Sequence, residues 1–295
     1  MKKLLSILFT ISILSSFSAG AQTDNRLFPY PEPPKDMTNL YERCTFIVYK
    51  FWEKCNIKSA FSSKAKLNAA FGDWLSFMPY ASADTVFMAI DRFHDSFKKS
   101  GQQSLEVAKM AEAWLYSDSA SYRSDELYKR FVDHAVVNKK IPAEERRHFE
   151  AQKLILDNSS IGSKIPDIEL TKADGTKTSF YADTVTNTIL IIYEPDCMDC
   201  SFARVRLSAD MILNQLNRGG IIKIVSLFAG EPDAAFAEAV ADYPVEWLNV
   251  ASPEASKYFD MSSKPSIYYL DKDNVVVGKN LIVDNIIEAF RTLMK

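Results

Sequence analysis

The stretch Ile191–Cys200, "IIYEPDCMDC", places two cysteines two residues apart behind an apolar run and among acidic side chains. "TILIIY", residues 188–193, reads as a buried strand, and Met198 to Leu216 suits a helix. Cys197 therefore sits where a strand hands over to a helix. The first turn of a helix offers unpaired N–H groups and the positive end of the macrodipole, and both stabilise a thiolate. The two-residue gap lets the cysteines close a disulfide within one turn. Cys197, at the open end, is then the attacking sulfur, and Cys200, one turn deeper, the resolving sulfur. Glu194, Asp196 and Asp199 all lie within three residues of a cysteine. Their negative charge disfavours a thiolate. A less stabilised thiolate makes a dithiol more reducing, and ~30 mV corresponds to ~1.4 kcal/mol. At this point three readings stand: a redox pair, half of a zinc site, or a structural disulfide. Zinc typically takes four ligands. No second CxxC exists, and His94, His134 and His148 all fall well upstream, so no metal site is expected.

Around this stretch strands alternate with helices. "TKADGTKTSF" reads as a hairpin about Asp174–Gly175. "IIKIVSLFA" is a second buried strand, followed by a helical segment Ala234–Ala241 and a short helical turn within Pro253–Phe259. "SIYYLDKDNVVVG" reads as two strands joined at Asp273–Asn274, and Ile282–Met294 as a closing helix. The order implies a βαβ unit followed by a β-hairpin.

Upstream, from about Met37 to Leu156, the pattern is helical throughout. Leu40, Cys44, Ile47, Val48, Phe51 and Cys55 form one apolar stripe. Further helices are expected over Lys64–Leu75, Ser82–Lys98 and Ser104–Tyr116. Ser124 suits an N-cap, and Pro142 with Glu144 and Glu145 suits a helix start. Five or six helices are predicted. The expected organisation is an extended lead-in over 22–35, a helical domain over 36–156, a linker over 157–164 ("DNSSIGSK") and an α/β domain over 165–295. Cys44 and Cys55 are 11 residues apart. In one continuous helix that is ~16 Å, beyond disulfide reach, so both read as core thiols. His94 and His148 read as surface side chains and His134 as half-buried. Trp52, Trp74 and Trp114 read as core.

Residues 1–21 read as a cleaved export signal: Lys2 and Lys3, an apolar run to Phe17, then Ala19-Gly20-Ala21. The apolar run is shorter than a spanning helix needs, so no transmembrane anchor is expected. Loss of that segment takes the formal charge from −3 to −5. With no basic patch, nucleic acid is not an expected partner.

"IGSKIPDIEL", "ADGTKTSF", the strand–CxxC–helix and "SSKPSIYYL" together resemble the secreted thioredoxin-like thiol–disulfide oxidoreductases of the bacterial cell envelope, over Ile161–Lys295. The helical part is similar to a domain of unknown role that precedes such modules in exported bacterial proteins. The resemblance implies a thioredoxin-like fold, a central mixed sheet flanked by helices, joined to the all-α N-terminal domain. It implies Cys197 as nucleophile and Cys200 as resolving thiol. Pro265 would open the strand facing the cysteines through a cis peptide bond, and Lys264 would lie close by. Glu194, Asp196 and Asp199 would shape the same site. The expected activity is reduction or isomerisation of disulfides in envelope proteins, in the periplasm or exported cell envelope. No metal or organic cofactor is implied, but an upstream thiol–disulfide donor is.

The family pattern is not met everywhere. Asp196 stands where an aromatic residue is usual. Ala203 and Ile191 stand where relatives place a carboxylate that moves a proton from the resolving thiol. Their absence argues against fast turnover, and water or Glu194 would have to substitute. Two other readings stand beside this one. One is an interaction protein whose CxxC is only a structural disulfide. The other, a peroxiredoxin-like peroxidase, fits less well, because Pro195 lies only two residues before Cys197 with no Thr between.

Overall fold

A computed structural model describes residues 26–182, 186–194 and 197–293. The proposed export signal, and with it the first residues of the lead-in, lies outside the described residues. Among the described residues no helix is long and apolar enough to cross a membrane.

Among the described residues, the regular elements of the N-terminal half are all helices: α1 (Leu40–Lys50), α2 (Ile57–Ala60), α3 (Lys64–Phe77), α4 (Ala83–Asp95), α5 (Gly101–Leu115), α6 (Asp125–Val137) and α7 (Ala143–Ser159), with short 3-10 turns between some of them. Seven α-helices thus replace the five or six expected. The extra one arises because the first stripe does not continue to Cys55. The chain tightens into a 3-10 turn over Phe51–Lys54, and Asn56 then caps α2 by accepting from the Ser59 N–H. Leu40, expected in the buried stripe, is exposed at the helix start, while Cys44, Val48 and Phe51 form its buried face. Cys44 is buried, Cys55 half-buried, and both are free thiols. Burial pushes the Cys55 thiol up to about 11. Ser124 caps α6 as expected, accepting from the Leu127 N–H. Helix α7 continues through Ser159, three residues into the stretch read as a linker. The core joins Phe51, Phe71, Trp74, Ile90, Phe93 and Phe131, and Phe28 of the lead-in packs onto it.

His94 corrects the surface reading: it is buried, stacked on His134 at 4.0 Å between ring centroids. His134 in turn pairs with Asp91 at 2.7 Å. Burial first, and the charge of His134 second, depress His94 to about 4, against the pull of Asp95 and Asp91 and with the push of Lys98. The unfolded chain protonates this group near 6.5. A depressed folded pKa means that the unfolded state binds more protons between those values. The stabilisation is therefore complete above about pH 6.5 and is lost as pH falls toward 4. His94→Gln is expected to flatten the stability–pH curve in that window, removing up to about 3 kcal/mol of acid sensitivity. Urea unfolding at pH 7, 5.5 and 4 measures it, and equal pH slopes for variant and wild type would refute the assignment.

The C-terminal half is built on one seven-stranded sheet of order β2-β1-β5-β4-β3-β6-β7. Its elements in chain order are β1 (Glu169–Lys172), β2 (Lys177–Ser179), β3 (Asn187–Tyr193), α8 (Met198–Ala209), α9 (Met211–Arg218), β4 (Ile222–Phe228), α10 (Ala234–Val240), β5 (Leu248–Ala251), α11 (Ala255–Tyr258), β6 (Ser266–Leu270), β7 (Val276–Gly278) and α12 (Val283–Leu293). Strands β3, β4 and β5 run parallel, while β1 and β6 pair antiparallel at either side. The β1–β2 hairpin turns at Gly175, whose φ of 83° lies in the left-handed region that favours glycine. The expected single helix Met198–Leu216 is two. Asp210 ends α8 and caps α9, accepting from the Leu213 N–H at 3.0 Å. Strand β5 escaped the sequence reading because Leu248–Ala251 is short and carries a polar Asn249. Alternation along β3 sends Leu190 and Ile192 to one core and Ile189 and Ile191 to the other, so the strand is apolar on both faces.

Candidate active site

Strand β3 is the central rail that delivers the cysteines. It ends at Tyr193; Glu194 follows, Pro195 and Asp196 lie outside the described residues, and Cys197 is the N-cap of α8. The Cys197 sulfur accepts a hydrogen bond from the Cys200 N–H at 3.1 Å. Cys197 and Cys200 are joined in a disulfide with 5.2 Å between Cα atoms, within the usual range. Cys197 is half-buried, whereas Cys200 is 6% exposed. The asymmetry matches an outer sulfur that can be attacked and an inner one that cannot.

The peptide bond Lys264–Pro265 is cis. Pro265 immediately precedes β6, whose Ser266 registers with Ile192 near the end of β3. Lys264 does not face the sulfurs as a free cation. Its ammonium forms an ion pair with Glu194. Both residues were expected beside the cysteines, and in the structure their opposite charges neutralise one another directly. Asp199 is exposed in the first turn of α8. Ala203 and Ile191, where a carboxylate was missed, are both buried, and Ile191 packs in the apolar cluster beneath α8 and α12.

One open groove borders the disulfide, and a second lies near it, past Asp199 and Pro265. One, of about 360 Å³, is lined by Tyr193, Glu194, Cys197, Cys200, Arg204 and Tyr243. The other, of about 370 Å³, is lined on its apolar side by Phe202, Pro265 and Ile282 and on its polar side by Asp199, Lys264 and Arg206. Arg204, Tyr193 and Tyr243 were not singled out from sequence. Arg204 had a readable signal: it lies seven residues after Cys197, two turns along the same face of α8. Its guanidinium stacks 4.5 Å over the Tyr243 ring. Burial, and then the neighbouring Tyr243, raise the Tyr193 phenol, which therefore stays a neutral O–H. Tyr243 gave no signal, since the turn that carries it has no periodicity. Among the described residues no cluster of His, Cys, Asp or Glu could hold a metal ion.

The arrangement offers a sulfur at a helix N-terminus, a buried partner one turn below, and one cation, Arg204, in the open groove that borders them. Such a site can exchange disulfides by in-line attack of thiolate on sulfur.

A family model described as a domain of unknown function (DUF5106) matches residues 10–158. Among solved structures, a thioredoxin-like protein from Bacteroides caccae ATCC 43185 is similar over 90% of this chain and 99% of its own, with TM-score 0.73 and 21% identity. That likeness shows the thioredoxin-like fold. A thioredoxin domain of a thiol-disulfide oxidoreductase from Bacteroides vulgatus aligns with 46% of this chain and 99% of its own, at 16% identity and TM-score 0.40. A thiol:disulfide interchange protein from Bacteroides sp. aligns with 45% of this chain and 90% of its own, at 16% identity and TM-score 0.39. No curated protein matches the sequence.

Proposed function

The chain belongs to the DUF5106 family, and from that premise, with a thioredoxin-like fold beside the helical domain, we propose that it is an exported thiol–disulfide oxidoreductase. It reduces or isomerises disulfides in cysteine-containing proteins of the cell envelope. The observation that carries this reading is the Cys197–Cys200 disulfide at the start of α8, with Cys197 half-buried at the edge of an open groove. The basic start and apolar run of residues 2–17 support export. An oxidising compartment is where a protein would meet disulfides to exchange.

In the proposed cycle the Cys197 thiolate attacks a substrate disulfide. The substrate S–S bond breaks, one substrate sulfur leaves and takes a proton, and the other is held in a mixed disulfide with Cys197. Cys200 then gives up its proton, to water or to Glu194, and attacks the Cys197 sulfur. The Cys197–Cys200 bond forms and the second substrate thiol is released. The substrate gains two electrons, and an external thiol donor restores the dithiol. Lys264, Glu194, Asp196 and Asp199 set the charge around the thiolate, and Pro265 shapes the groove wall. The direct test is insulin reduction by the pre-reduced protein with dithiothreitol as donor. Turnover that disappears in Cys197→Ser supports the reading, and a wild type no faster than dithiothreitol alone contradicts it.

Lys264→Glu tests the charge arrangement. It removes the counter-ion of Glu194 and adds a second carboxylate beside it. The Cys197 thiolate is disfavoured, so its pKa is expected to rise by about one unit. The pH profile of iodoacetamide alkylation of the reduced protein reads this. An unchanged profile would mean that the Glu194–Lys264 pair does not act on the sulfur.

A further inference from the structure

Beside the packing of α7 on α11, the helical domain meets the thioredoxin-like domain through four charged side chains, two from each. Arg123, from the loop between α5 and α6, donates to the Asp260 carboxylate at 3.0 Å and to the Ser262 hydroxyl at 2.7 Å. Lys279, just after β7, pairs with Asp260 at 2.8 Å and also with Asp125 at the start of α6. The side chains of Lys279 and Asp260 are only 6% and 4% exposed. Each domain contributes one cation and one anion, so the quartet is neutral and its cross-domain pairs attract. Burial alone would raise the Asp260 carboxyl, but Lys279 and the Ser262 contacts hold it below the ordinary carboxylate range.

The place of this quartet gives it a bearing on the site. Asp260 begins the loop that ends at Lys264 and Pro265. Its other carboxylate oxygen accepts from the Ser262 N–H at 3.0 Å. Its backbone N–H donates to the Tyr268 hydroxyl of β6 at 3.0 Å, and that hydroxyl donates to the Asp260 carbonyl at 3.1 Å. Ser266 donates to the Ser263 carbonyl at 2.7 Å, and Lys264 pairs with Glu194. Polar contacts and the short chain segment 262–264 that joins them therefore lead from α6 through the loop to the residue three before Cys197. Arg123 itself is held by its own domain: its guanidinium lies 5.8 Å from the Tyr116 ring centroid, and the Ser124 N–H donates to the Leu115 carbonyl. Buried ion pairs contribute little net stability once desolvation is counted, and their best-attested use is to fix geometry.

The geometry points to the helical domain as the element that sets the loop Asp260–Lys264 against the cysteines, with Arg123 as its positioning residue. This rests on the thiol–disulfide reading of the site. It assigns the helical domain a part in the site's geometry, beyond being a covalently attached neighbour.

The test uses the full chain with Arg123→Ala and Arg123→Lys. Hydrogen exchange is followed at residues 261–266 and, as reference, in α12. KM and kcat for insulin reduction are measured separately. Arg123→Ala is expected to speed exchange in 261–266 about tenfold while α12 is unchanged. It is also expected to raise KM several-fold with kcat largely kept, because the groove wall moves while the sulfurs do not. Arg123→Lys, which keeps the charge but replaces the planar guanidinium whose one nitrogen makes both contacts, is expected to fall between. If Arg123→Ala does not fold, Ser262→Ala removes one of its two bonds and carries the same measurements. Unchanged loop exchange in the variants overturns the inference. A wild type without insulin turnover overturns the thiol–disulfide reading instead, and the exchange measurement keeps the two failures distinct.

Discussion

Cys200→Ser is expected to lower steady-state insulin reduction about 100-fold or more while leaving Cys197 able to attack. The reason is positional. Cys197 caps α8 at the edge of an open groove, and Cys200 lies beneath it, almost fully buried. Attack on a substrate disulfide needs only the outer sulfur. Release needs a second thiolate within bonding reach of the first, and the Cα separation of 5.2 Å places Cys200 there. A serine hydroxyl cannot perform that displacement. The variant should therefore stall as a mixed disulfide, visible as a covalent adduct on non-reducing gels and released by dithiothreitol. Cys197→Ser should give neither turnover nor adduct. Full turnover by Cys200→Ser would remove Cys200 from the resolving role.

Trp74→Ala is expected to cost about 3–5 kcal/mol, a large part of a typical domain's stability of about 5–15 kcal/mol. Trp74 is fully buried at the centre of the helical core. Its ring meets Phe93 at 5.3 Å and Trp52 at 5.5 Å, both edge-on, and lies 6.0 Å from Phe71. Its indole N–H donates to the Val48 carbonyl at 3.1 Å. Val48 lies in the last turn of α1, where carbonyls run out of intrahelical partners. The truncation thus opens a cavity and also removes that carbonyl's partner. Trp74→Phe should cost less, about 1–3 kcal/mol, because most of the apolar volume stays and mainly the hydrogen bond is lost. Urea unfolding followed by far-UV circular dichroism measures both. A loss below about 1 kcal/mol for Trp74→Ala would show that the site collapses around the smaller side chain.

What the sequence disclosed and what it hid divide along physical lines. The apolar runs that became β3 and β4 are buried on both faces, so continuous hydrophobicity marked them without ambiguity. The Ser124 cap and the Gly175 turn were legible because their chemistry is local. The break after α1 was not, because the apolar spacing of Phe51 and Cys55 suits a helix and the 3-10 turn between them still buries Phe51. His94 was misread for a related reason. Its sequence neighbours Arg92 and Asp95 are charged, but the face of α4 that carries it packs against His134. At the candidate site the cysteines, Pro265 and Lys264 were readable, whereas the pairing of Lys264 with Glu194 was not. Those residues are 70 apart in sequence, and only the register of β3 with β6 brings them together. The Arg123–Asp260 and Asp125–Lys279 contacts span 137 and 154 residues. In the sequence each of these charges is indistinguishable from an ordinary surface charge.

The redox equilibrium of the Cys197–Cys200 pair tests the central claim most directly. The protein would be equilibrated in glutathione or dithiothreitol buffers of stepped potential and the free thiols counted after alkylation. A reducing exchange centre with acidic neighbours should titrate as a two-electron couple with its midpoint between about −200 and −300 mV, on the thioredoxin side of the scale. A pair that stays oxidised well below about −300 mV would be a structural disulfide, and a midpoint near −120 mV would mark a strong oxidant. Either result would contradict the account.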